Sequence, residues 1–492
     1  MRSNYVHFGT PQFRILSDNQ IEALHYRTLE ILERVGVTFD CRQAIDLLGN
    51  AGADVSNPQR VKIPPYLVEQ ALKTAPKTIT LYTREGEPAL VLNRSAGSHF
   101  GAVVGVQYYL DPYTRRPRLL QVEDIDSIAR LSDSLPNMEW IFTVNSHRTL
   151  PGAITDKVSL LHVILNTTKP VCCSIGDVSS LREMVEFCST VAGGEARLRA
   201  KPFFVSSVEP VSPLVQGKDA MEKSLLCAEK NIPNVVYSMP MCGATAPATF
   251  AGNLVIANAE ILSQLVVIQL KRPGAPVICG AISNIMDMKT SINPQGSPEM
   301  GVLIAALTEL LHYYQLPVWG TVSSDAKTVG AQAAIEYAYQ IMLQAMAGTE
   351  FVHDIGYLHH SLMISPELII LGNEIIDMIK VLMRGVEVNE ETVPVNLIEK
   401  VGPGGSYLGE KHTLRHFRSF WKASLFHRRV ELDEQAEDCE DLLNQRTKDI
   451  LKTYQPKPLP EDVVKELLKI EAGWFKRVGL KHEYPKTEWL SV

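Results

Sequence analysis

Short runs of apolar, β-branched residues recur about every 30 to 40 residues along this chain, a spacing typical of strands that alternate with helices. Each run is followed by an amphipathic helical pattern, so the repeat predicts βα units and a parallel sheet. Eight units of this kind predict an α/β fold, a closed (β/α)8 barrel of the TIM type. The predicted strands lie at residues 98–103, 138–144, 169–174, 202–208, 233–238, 275–281, 316–322 and 350–355.

The length of the chain requires segments outside the barrel. Its 492 residues exceed the ~250 residues of a bare barrel. We assign residues 1–95 to an N-terminal accessory segment, 96–386 to the barrel and 387–492 to a C-terminal extension packed beside it. The fifth barrel helix, from near Ala248 to Lys271, is long and apolar, which favours a homo-oligomer.

Composition excludes several classes of protein. The net charge is -7 and no block of Lys and Arg stands out, which argues against a nucleic-acid partner. The opening residues 1–7 lack the apolar core of a signal peptide, and no apolar run reaches the ~18 residues of a membrane span. We therefore expect a cytoplasmic protein with no membrane partner.

Eight cysteines without a CxxC pair predict reduced thiols, and adjacent Cys172 and Cys173 point to opposite faces of a strand, where they cannot share a metal.

The ends of the predicted strands are where a barrel enzyme carries its reacting groups. These ends lack HExxH, GxSxG and a phosphate-binding glycine loop, and the chain has no DxHxxG corrinoid-binding phrase. Hydrolase, kinase and corrinoid-carrier functions are therefore disfavoured, and no metal site is predicted. The side chains found there are aromatic or weakly polar: Phe100, Asn145, Glu209, Trp319, Ser323, Asp325, Phe351, His353 and Tyr357.

A group of aromatic rings with one or two hydrogen-bond donors suits a quaternary ammonium that also carries a carboxylate. Each cation–π contact contributes roughly 0.5–2 kcal/mol and needs no hydrogen-bond acceptor. His353 can donate to the carboxylate, and Asp354 next to it can bias its protonation. The alternative is that the rings fill interior layers of the barrel and that His353 is a buried structural donor.

Two further side chains admit a different chemistry. Lys327 could form a Schiff base as in barrel aldolases, although its place beyond the seventh strand is typical of a surface lysine. Glu209, before Pro210, is either an acid of the site or an acceptor that stabilises its loop. A Schiff-base or acid–base lyase is therefore one alternative function.

Several phrases of the sequence are characteristic when they occur together. They are PMCGATAPAT at 240–249, AGNLVIANAE at 251–260, PGAPVI at 273–278, SSDAK at 323–327 with AQ at 331–332, HDIGY at 353–357, SPE at 365–367 with NEI at 373–375, and GPGG at 402–405 with HTL at 412–414. In this combination the chain resembles the trimethylamine methyltransferase family from about residue 15 to about residue 480.

The resemblance implies a barrel enzyme that moves a methyl group from an amine to the Co(I) centre of a separate corrinoid protein, with no permanently bound cofactor of its own. Family members acting on trimethylamine carry pyrrolysine near the end of the seventh strand. This chain has ordinary residues across 319–327. The resemblance therefore points to the branch without pyrrolysine, which demethylates quaternary amines such as glycine betaine, proline betaine or carnitine.

Within this interpretation no residue is assigned as a certain catalytic group. A quaternary ammonium leaves as a neutral amine, so in-line attack needs positioning and no proton donor. The predicted aromatic box is Phe100, Trp319, Phe351 and Tyr357, the predicted carboxylate tethers are His353 and Asn145, and Glu209 completes the substrate-binding set. Ser323, Asp325 and the loop around 243–245 are predicted to contact the corrinoid protein at the rim. A betaine-binding barrel without transfer activity is the non-enzymatic alternative.

Overall fold

The computed structural model describes residues 11–144, 148–426 and 438–484. All eight predicted strands are present and form one closed parallel barrel, in which the eighth strand pairs with the first. The strands are β1 His99–Val104, β2 Trp140–Thr143, β3 Val171–Ser174, β4 Phe204–Val208, β5 Asn234–Ser238, β6 Val277–Ala281, β7 Val318–Thr321 and β8 Phe351–Ile355. The predicted (β/α)8 barrel is therefore confirmed.

A long helix follows every barrel strand and packs on the outside of the sheet. These helices are α1 Val122–Ser134, α2 Gly152–Leu165, α3 Val178–Ala192, α4 Lys218–Lys230, α5 Phe250–Lys271, α6 Pro298–Tyr313, α7 Ala331–Ala347 and α8 Pro366–Met383, with a short helix Glu195–Ala200 after α3. Side-chain caps fix several starts. For example, Thr249 accepts a hydrogen bond from the Gly252 amide at the start of α5, and Ser365 accepts one from the Leu368 amide at the start of α8.

Short strands extend the carboxyl end of the barrel. Segments after β1 and after β8 join in one four-stranded sheet, and segments after β5 and β6 form a parallel pair. The four-stranded sheet consists of Tyr357–Leu358, Met363–Ile364, Tyr108–Leu110 and Pro117–Leu119, and the pair consists of Met241–Cys242 and Asn284–Ile285. Loops that carry site residues are thereby tied to each other above the barrel.

The N-terminal segment packs against α5 and α6. Its elements are Asp18–Glu30, the π-helical turn Ile31–Val35, Thr38–Phe39, Arg42–Asn50, Pro58–Arg60, Pro65–Thr74, Ile79–Tyr82 and Pro88–Leu92. Asn258 of α5 donates to the Thr28 hydroxyl and to the Tyr314 hydroxyl, both at 2.9 Å. Tyr314 is also 3.0 Å from the His25 ring, whose pKa is lowered by burial. A buried polar network thus fixes the first helix on the barrel.

Helix α5 is covered by this segment of its own chain. Among the described residues it is the one helix long and apolar enough to cross a membrane, and 83% of its most apolar 18-residue window is buried. Residues Leu254, Ile261 and Leu265 belong to a core that also contains side chains from residues 21–75. The apolarity of α5 is therefore that of a core helix, and it no longer supports the predicted homo-oligomer.

The C-terminal residues comprise two helices that pack on the barrel and a segment that has no buried residue. The helices Cys439–Thr453 and Glu461–Arg477 pack on the barrel, the first against α8 and α1 and the second against α2 and α3. Between α8 and these helices, no residue from 384 to 426 is buried. We call residues 384–426 the C-terminal arm; it contains the helices Val395–Val401 and Lys411–His416 and the 3-10 turn Phe417–Ser419. The domain boundaries at 95 and 386 stay a prediction.

The cysteines are free thiols, and all but Cys439 are buried. Burial raises the pKa of Cys172 and of Cys188, which keeps both protonated. Cys173 accepts a hydrogen bond from the Thr143 hydroxyl at 3.0 Å. Both side chains of the adjacent pair Cys172 and Cys173 are fully buried.

Candidate functional site

The interior of the barrel toward its carboxyl end is aromatic. Trp319 of β7 and His353 of β8 stack with centroids 3.7 Å apart and planes 10° from parallel. Tyr237 of β5 lies 4.2 Å from Trp319 at 46°. Two rings cannot share one face of an indole at these distances, so His353 and Tyr237 cover opposite faces of Trp319. Phe142 of β2 presents its edge to Trp319 and His353, with centroids at 6.1 and 5.0 Å.

A second stack forms the floor below this cluster. Phe351 lies on Trp140 with centroids 3.6 Å apart and planes 17° from parallel. The stack fits because β1 has Gly101 opposite Trp140, where a Cβ atom would lie 2.4 Å from the indole. Since Phe351 precedes His353 by two residues on β8, its ring lies one layer nearer the amino end. The predicted box residue Phe351 is therefore part of the floor and not of the mouth.

One predicted box residue, Phe100, is not brought into the cluster. Phe100 neighbours Gly101 on β1, and its ring points to the outside of the barrel, where it lines a groove with Ile376 and Ile379 of α8. Alternation along the strand explains this, because Gly101 faces the interior. Asn145, the second predicted carboxylate tether, lies outside the described residues.

His353 is buried with unused hydrogen-bonding capacity. It is 1% exposed, and within the described residues neither ring nitrogen has an aligned hydrogen bond. Its Nδ1 is 2.5 Å from Oδ1 of Asp354, a close but poorly aligned contact between neighbours on one strand. The indole N–H of Trp319 also lacks a partner among these residues. Buried donors without acceptors cost about 1–3 kcal/mol each, which is typical of a site that a ligand completes.

Asp354 is held at an irregularity of β8. Its φ of 73° lies in the left-handed region, and the pairing of β8 with β1 shifts register between Val352 and Ile355. The carboxylate Oδ2 accepts from the Thr321 hydroxyl at 2.8 Å. This turn brings the carboxylate to the side of the His353 ring.

Tyr337 of α7 fixes the chain that follows Asp354. Its hydroxyl accepts from the Gly356 amide at 2.8 Å and donates to the carbonyl of Tyr357 at 3.0 Å, with the Asp354 carbonyl at 3.3 Å. Burial raises the pKa of Tyr337, so the hydroxyl stays a donor. The end of β8 is thereby held from outside the barrel.

The mouth above the cluster has a negative character. Burial raises the pKa of Tyr237, and the neighbouring Glu209 carboxylate raises it further. Burial and the charge of Asp354 raise the pKa of Tyr357, which is 5% exposed. Glu209 itself follows β4 and is exposed. Aromatic rings beside two carboxylates favour a cationic ligand.

Glu260 of α5 positions the loop that carries Glu209. Its Oε1 accepts from the Leu214 amide at 2.7 Å, and its Oε2 accepts from the hydroxyls of Ser212, at 2.8 Å, and Ser238. The first two partners lie in the loop after β4, and Ser238 follows Tyr237 on β5. One buried carboxylate thus ties together the parts of the chain that bear Glu209 and Tyr237.

The predicted rim residues take part in hydrogen bonds within the chain. Ser323 is fully buried and its hydroxyl is 3.1 Å from that of Ser361, so it does not lie on the surface where the sequence placed it. Asp325 is partly exposed and accepts from the Gln295 amide and from the His360 ring, both at 2.7 Å. Lys327 is exposed, as a surface lysine would be.

Two aromatic members of the site, Tyr237 and Phe142, were missed from the sequence. Both lie within predicted strands and not at their ends, where a barrel enzyme carries its reacting groups. The alternation of side chains along a strand could have identified Phe142, because it follows Trp140 by two residues and therefore faces the same interior side.

Within the described ranges, three side chains come close enough together to hold a metal ion: Glu391, His412 and His416 of the C-terminal arm. Arg415 already pairs with the Glu391 carboxylate at 3.1 Å, as does His416. The group is therefore satisfied by ion pairs, and it lies far along the chain from the barrel strands.

The fold is that of a TIM-type barrel, with an aromatic cluster in its interior toward the carboxyl ends of the strands. The comparisons narrow this class. The family model "Trimethylamine methyltransferase (MTTB)" matches residues 1–472. The chain therefore belongs to the trimethylamine methyltransferase family, whose members transfer methyl groups from amines to a separate corrinoid protein.

Curated relatives match over almost the whole chain. A trimethylamine methyltransferase of Desulfitobacterium hafniense is 34% identical over 476 residues, 94% of each chain. A glycine betaine methyltransferase from another strain of that species is 30% identical over 480 residues, 95% of this chain and 98% of the relative. Because relatives of both kinds match at similar identity, the substrate branch does not follow from these comparisons.

A solved structure supports the fold. The monomethylamine methyltransferase of Methanosarcina barkeri superimposes with a TM-score of 0.54 at 12% identity, covering 95% of this chain and 88% of that one. At this identity the likeness concerns the fold alone.

Proposed function

We propose that this protein transfers a methyl group from a quaternary amine that carries a carboxylate, such as glycine betaine, to the Co(I) centre of a separate corrinoid protein. The observation that carries the proposal is that one barrel combines a group of rings suited to a cation with buried donors suited to a carboxylate. Aromatic rings and the Glu209 carboxylate meet at the mouth, and buried donors without partners lie below them on Trp319 and His353.

The rings have different tasks in this proposal. Trp319 is covered on both faces, so it supports the site and does not receive the cation on its face. Tyr237 and Tyr357 are the most exposed rings of the cluster, at 8% and 5%. Their faces can attract the ammonium at roughly 0.5–2 kcal/mol each. Glu209 adds a charge that favours a cation over a neutral amine. In this proposal the aromatic box consists of Tyr237 and Tyr357, and Trp319 supports them. It replaces the box predicted from the sequence, which was Phe100, Trp319, Phe351 and Tyr357.

The carboxylate of the substrate is bound below the cation. The ring N–H of His353 and the indole N–H of Trp319 each gain an acceptor when a carboxylate enters. Hydrogen bonds to a charged group contribute about 1.5–3 kcal/mol. A substrate held at both ends presents one methyl group toward the open mouth, where the corrinoid protein docks.

The reaction then needs little from the protein except positioning. The corrinoid supplies the Co(I) electron pair that forms the bond to the methyl carbon, while the electrons of the C–N bond stay on nitrogen and cobalt is oxidised to Co(III). The leaving group is a neutral tertiary amine, so no side chain has to donate a proton. Ordinary residues across 319–327, without pyrrolysine, support a quaternary substrate over trimethylamine.

The experiment that tests the proposal is the visible spectrum of a Co(I) corrinoid mixed with the protein and, in turn, glycine betaine, proline betaine, carnitine and trimethylamine. We expect methyl-Co(III) with one of the three quaternary amines. Glu209→Gln should raise KM for that amine about 10-fold through the lost charge, whereas the exposed Glu229→Gln serves as the matched control. Methyl transfer from trimethylamine alone would contradict the proposal, and tight betaine binding without transfer would favour a binding barrel.

A further inference from the structure

Two histidines in the second helix of the C-terminal arm share one face. His412 and His416 are four residues apart in the helix Lys411–His416, and side chains at this spacing lie one above the other. Their ring centroids are 4.3 Å apart, with planes 38° from parallel. Two imidazoles placed in this way can hold one metal ion, as in zinc sites that take two histidines from one helix.

Glu391, near the start of the arm, lies against the same face. The Nε2 atom of His412 is 3.0 Å from the backbone carbonyl oxygen of Glu391, and that of His416 is 3.1 Å from its Oε1. The ligand atoms of the three side chains all lie within 4.8 Å of one another. Asn389 fixes the backbone here, because its Oδ1 accepts from the amides of Glu391 and Thr392, both at 2.9 Å. Both ring nitrogens therefore point at one residue whose backbone is held in place.

We propose that Glu391, His412 and His416 bind a zinc ion. Two imidazole nitrogens and one carboxylate oxygen are donors that Zn²⁺ takes, and a water molecule fills the fourth position. Ligand bonds of about 2.0–2.1 Å set the ligand atoms of a tetrahedral site about 3.3 Å from each other. The observed spacing of up to 4.8 Å thus has to shrink by about 1.5 Å at most, which side-chain torsions can supply. Mg²⁺ and Ca²⁺ prefer oxygen ligands and do not fit this donor set.

The ion pairs of Glu391 are compatible with this ligand. The Arg415 guanidinium and the His416 ring both contact Oε1, at 3.1 Å each. Among the described residues no hydrogen bond reaches Oε2, so this oxygen is available to an ion. Zinc takes the place of the protons on the two Nε2 atoms, while Arg415 keeps its contact with Oε1. Arg415 is not a ligand itself, because its guanidinium stays protonated.

A bound ion supplies what the packing of the arm does not. No residue from 384 to 426 is buried, and neither of the two helices has a buried side chain. Chain segments of this size without a core usually need disulfides, metals or oligomerisation, and the arm contains no cysteine. Ligands at 391 and at 412–416 enclose the helix Val395–Val401. The ion therefore clasps the start of the arm to its second helix.

The test is the zinc content of the full chain, produced without a polyhistidine tag and dialysed against metal-free buffer. We expect one zinc ion per chain by elemental mass spectrometry. His412→Asn and His416→Asn should each lower the affinity for added ZnCl₂ by more than about 100-fold, beyond the 10–100-fold typical of changes outside the ligand set. Arg415→Gln is the matched control. It removes an ion pair with the same carboxylate and no ligand, so its zinc content should equal that of the wild type.

Proteolysis measures the clasp itself, since Lys400 and Lys411 are exposed sites for trypsin in the arm. We expect EDTA to speed cleavage of the wild-type protein at these sites, and ZnCl₂ but not MgCl₂ to reverse the effect.

The proposal is overturned if the wild-type protein neither contains zinc nor binds added ZnCl₂, or if both histidine variants keep as much zinc as the wild type. Iron in place of zinc, or cleavage that EDTA does not change, overturns it too. None of these readouts involves methyl transfer, so the result is independent of the proposed function.

Discussion

At the scale of single residues, the side chain that most distinguishes this barrel interior is His353. It is packed between the Trp319 ring and the edge of Phe142, yet its ring nitrogens have no aligned partner among the described residues. Packing alone would be served equally well by a phenyl ring. A histidine at this position is therefore expected to act through its N–H groups.

The substitution His353→Phe tests this role because it keeps the stack and removes both nitrogens. We expect KM for glycine betaine to rise about 10-fold or more, since a hydrogen bond to a charged group is worth about 1.5–3 kcal/mol. Binding of tetramethylammonium, which has no carboxylate, should stay the same and serves as the control. Equal losses for both ligands would mean that His353 supports the shape of the site only.

Residue identities within the site could be predicted only in part. Trp319, His353, Tyr357 and Glu209 were found because they lie at or near strand ends, and the structure brings them to one region. Phe100 was placed in the box although its neighbour Gly101 faces the interior. The side a strand residue faces depends on the register of the closed barrel, which a one-residue shift reverses, and the sequence does not state that register.

At the scale of elements, α7 holds the end of β8 through Tyr337. Tyr337→Phe leaves the Gly356 amide and the Tyr357 carbonyl without this partner inside the protein. We expect the free energy of unfolding to fall by about 1–3 kcal/mol, measured by urea denaturation. Tyr339→Phe on the same helix is the matched control, because its hydroxyl bonds at the surface with the Pro298 carbonyl at 3.3 Å. A similar loss in both variants would contradict this account.

The eight barrel strands were predictable because each is a local run of β-branched residues between turn signals. Their observed bounds differ from the predicted ones by a few residues at most. The sheet at the carboxyl end was not predictable. Its strands are two or three residues long, and Tyr108 pairs with Met363, a partner far away in the sequence. Such pairings depend on tertiary contacts and leave no periodic signal.

At the scale of the whole molecule, the C-terminal helix Glu461–Arg477 is attached to the barrel by a titratable group. His162 of α2 lies 2.8 Å from Asp126 and 3.4 Å from Glu471. Burial alone would lower the pKa of His162, but the hydrogen bonds to Asp126 and Glu471 outweigh it and raise the pKa to about 9. The imidazolium form is thus the one that the folded protein stabilises.

Stability should therefore depend on pH in a defined window. Since the pKa of His162 is higher in the folded protein than the ~6.5 of an unfolded chain, its contribution is complete below about pH 6.5 and disappears as the pH rises through about 9. We expect urea midpoints to fall across this window, and His162→Gln to flatten the fall. His482→Gln, which contacts the same Glu471 at 2.8 Å from a more exposed position, is the control. An identical pH profile in His162→Gln would refute the assignment.

The covering of α5 by the N-terminal segment also constrains how the chain is made. The helix Asp18–Glu30 leaves the ribosome before α5, and the surface that it packs on is complete only after Lys271 has been synthesised. At 5–20 residues per second, this is a delay of roughly 10–50 s for the ~240 residues in between. During that time the apolar side of the first helix has no native partner. Synthesis of this protein should accordingly depend on chaperones that bind its N-terminal residues, and a chain shortened at its N-terminus should leave α5 uncovered and aggregate.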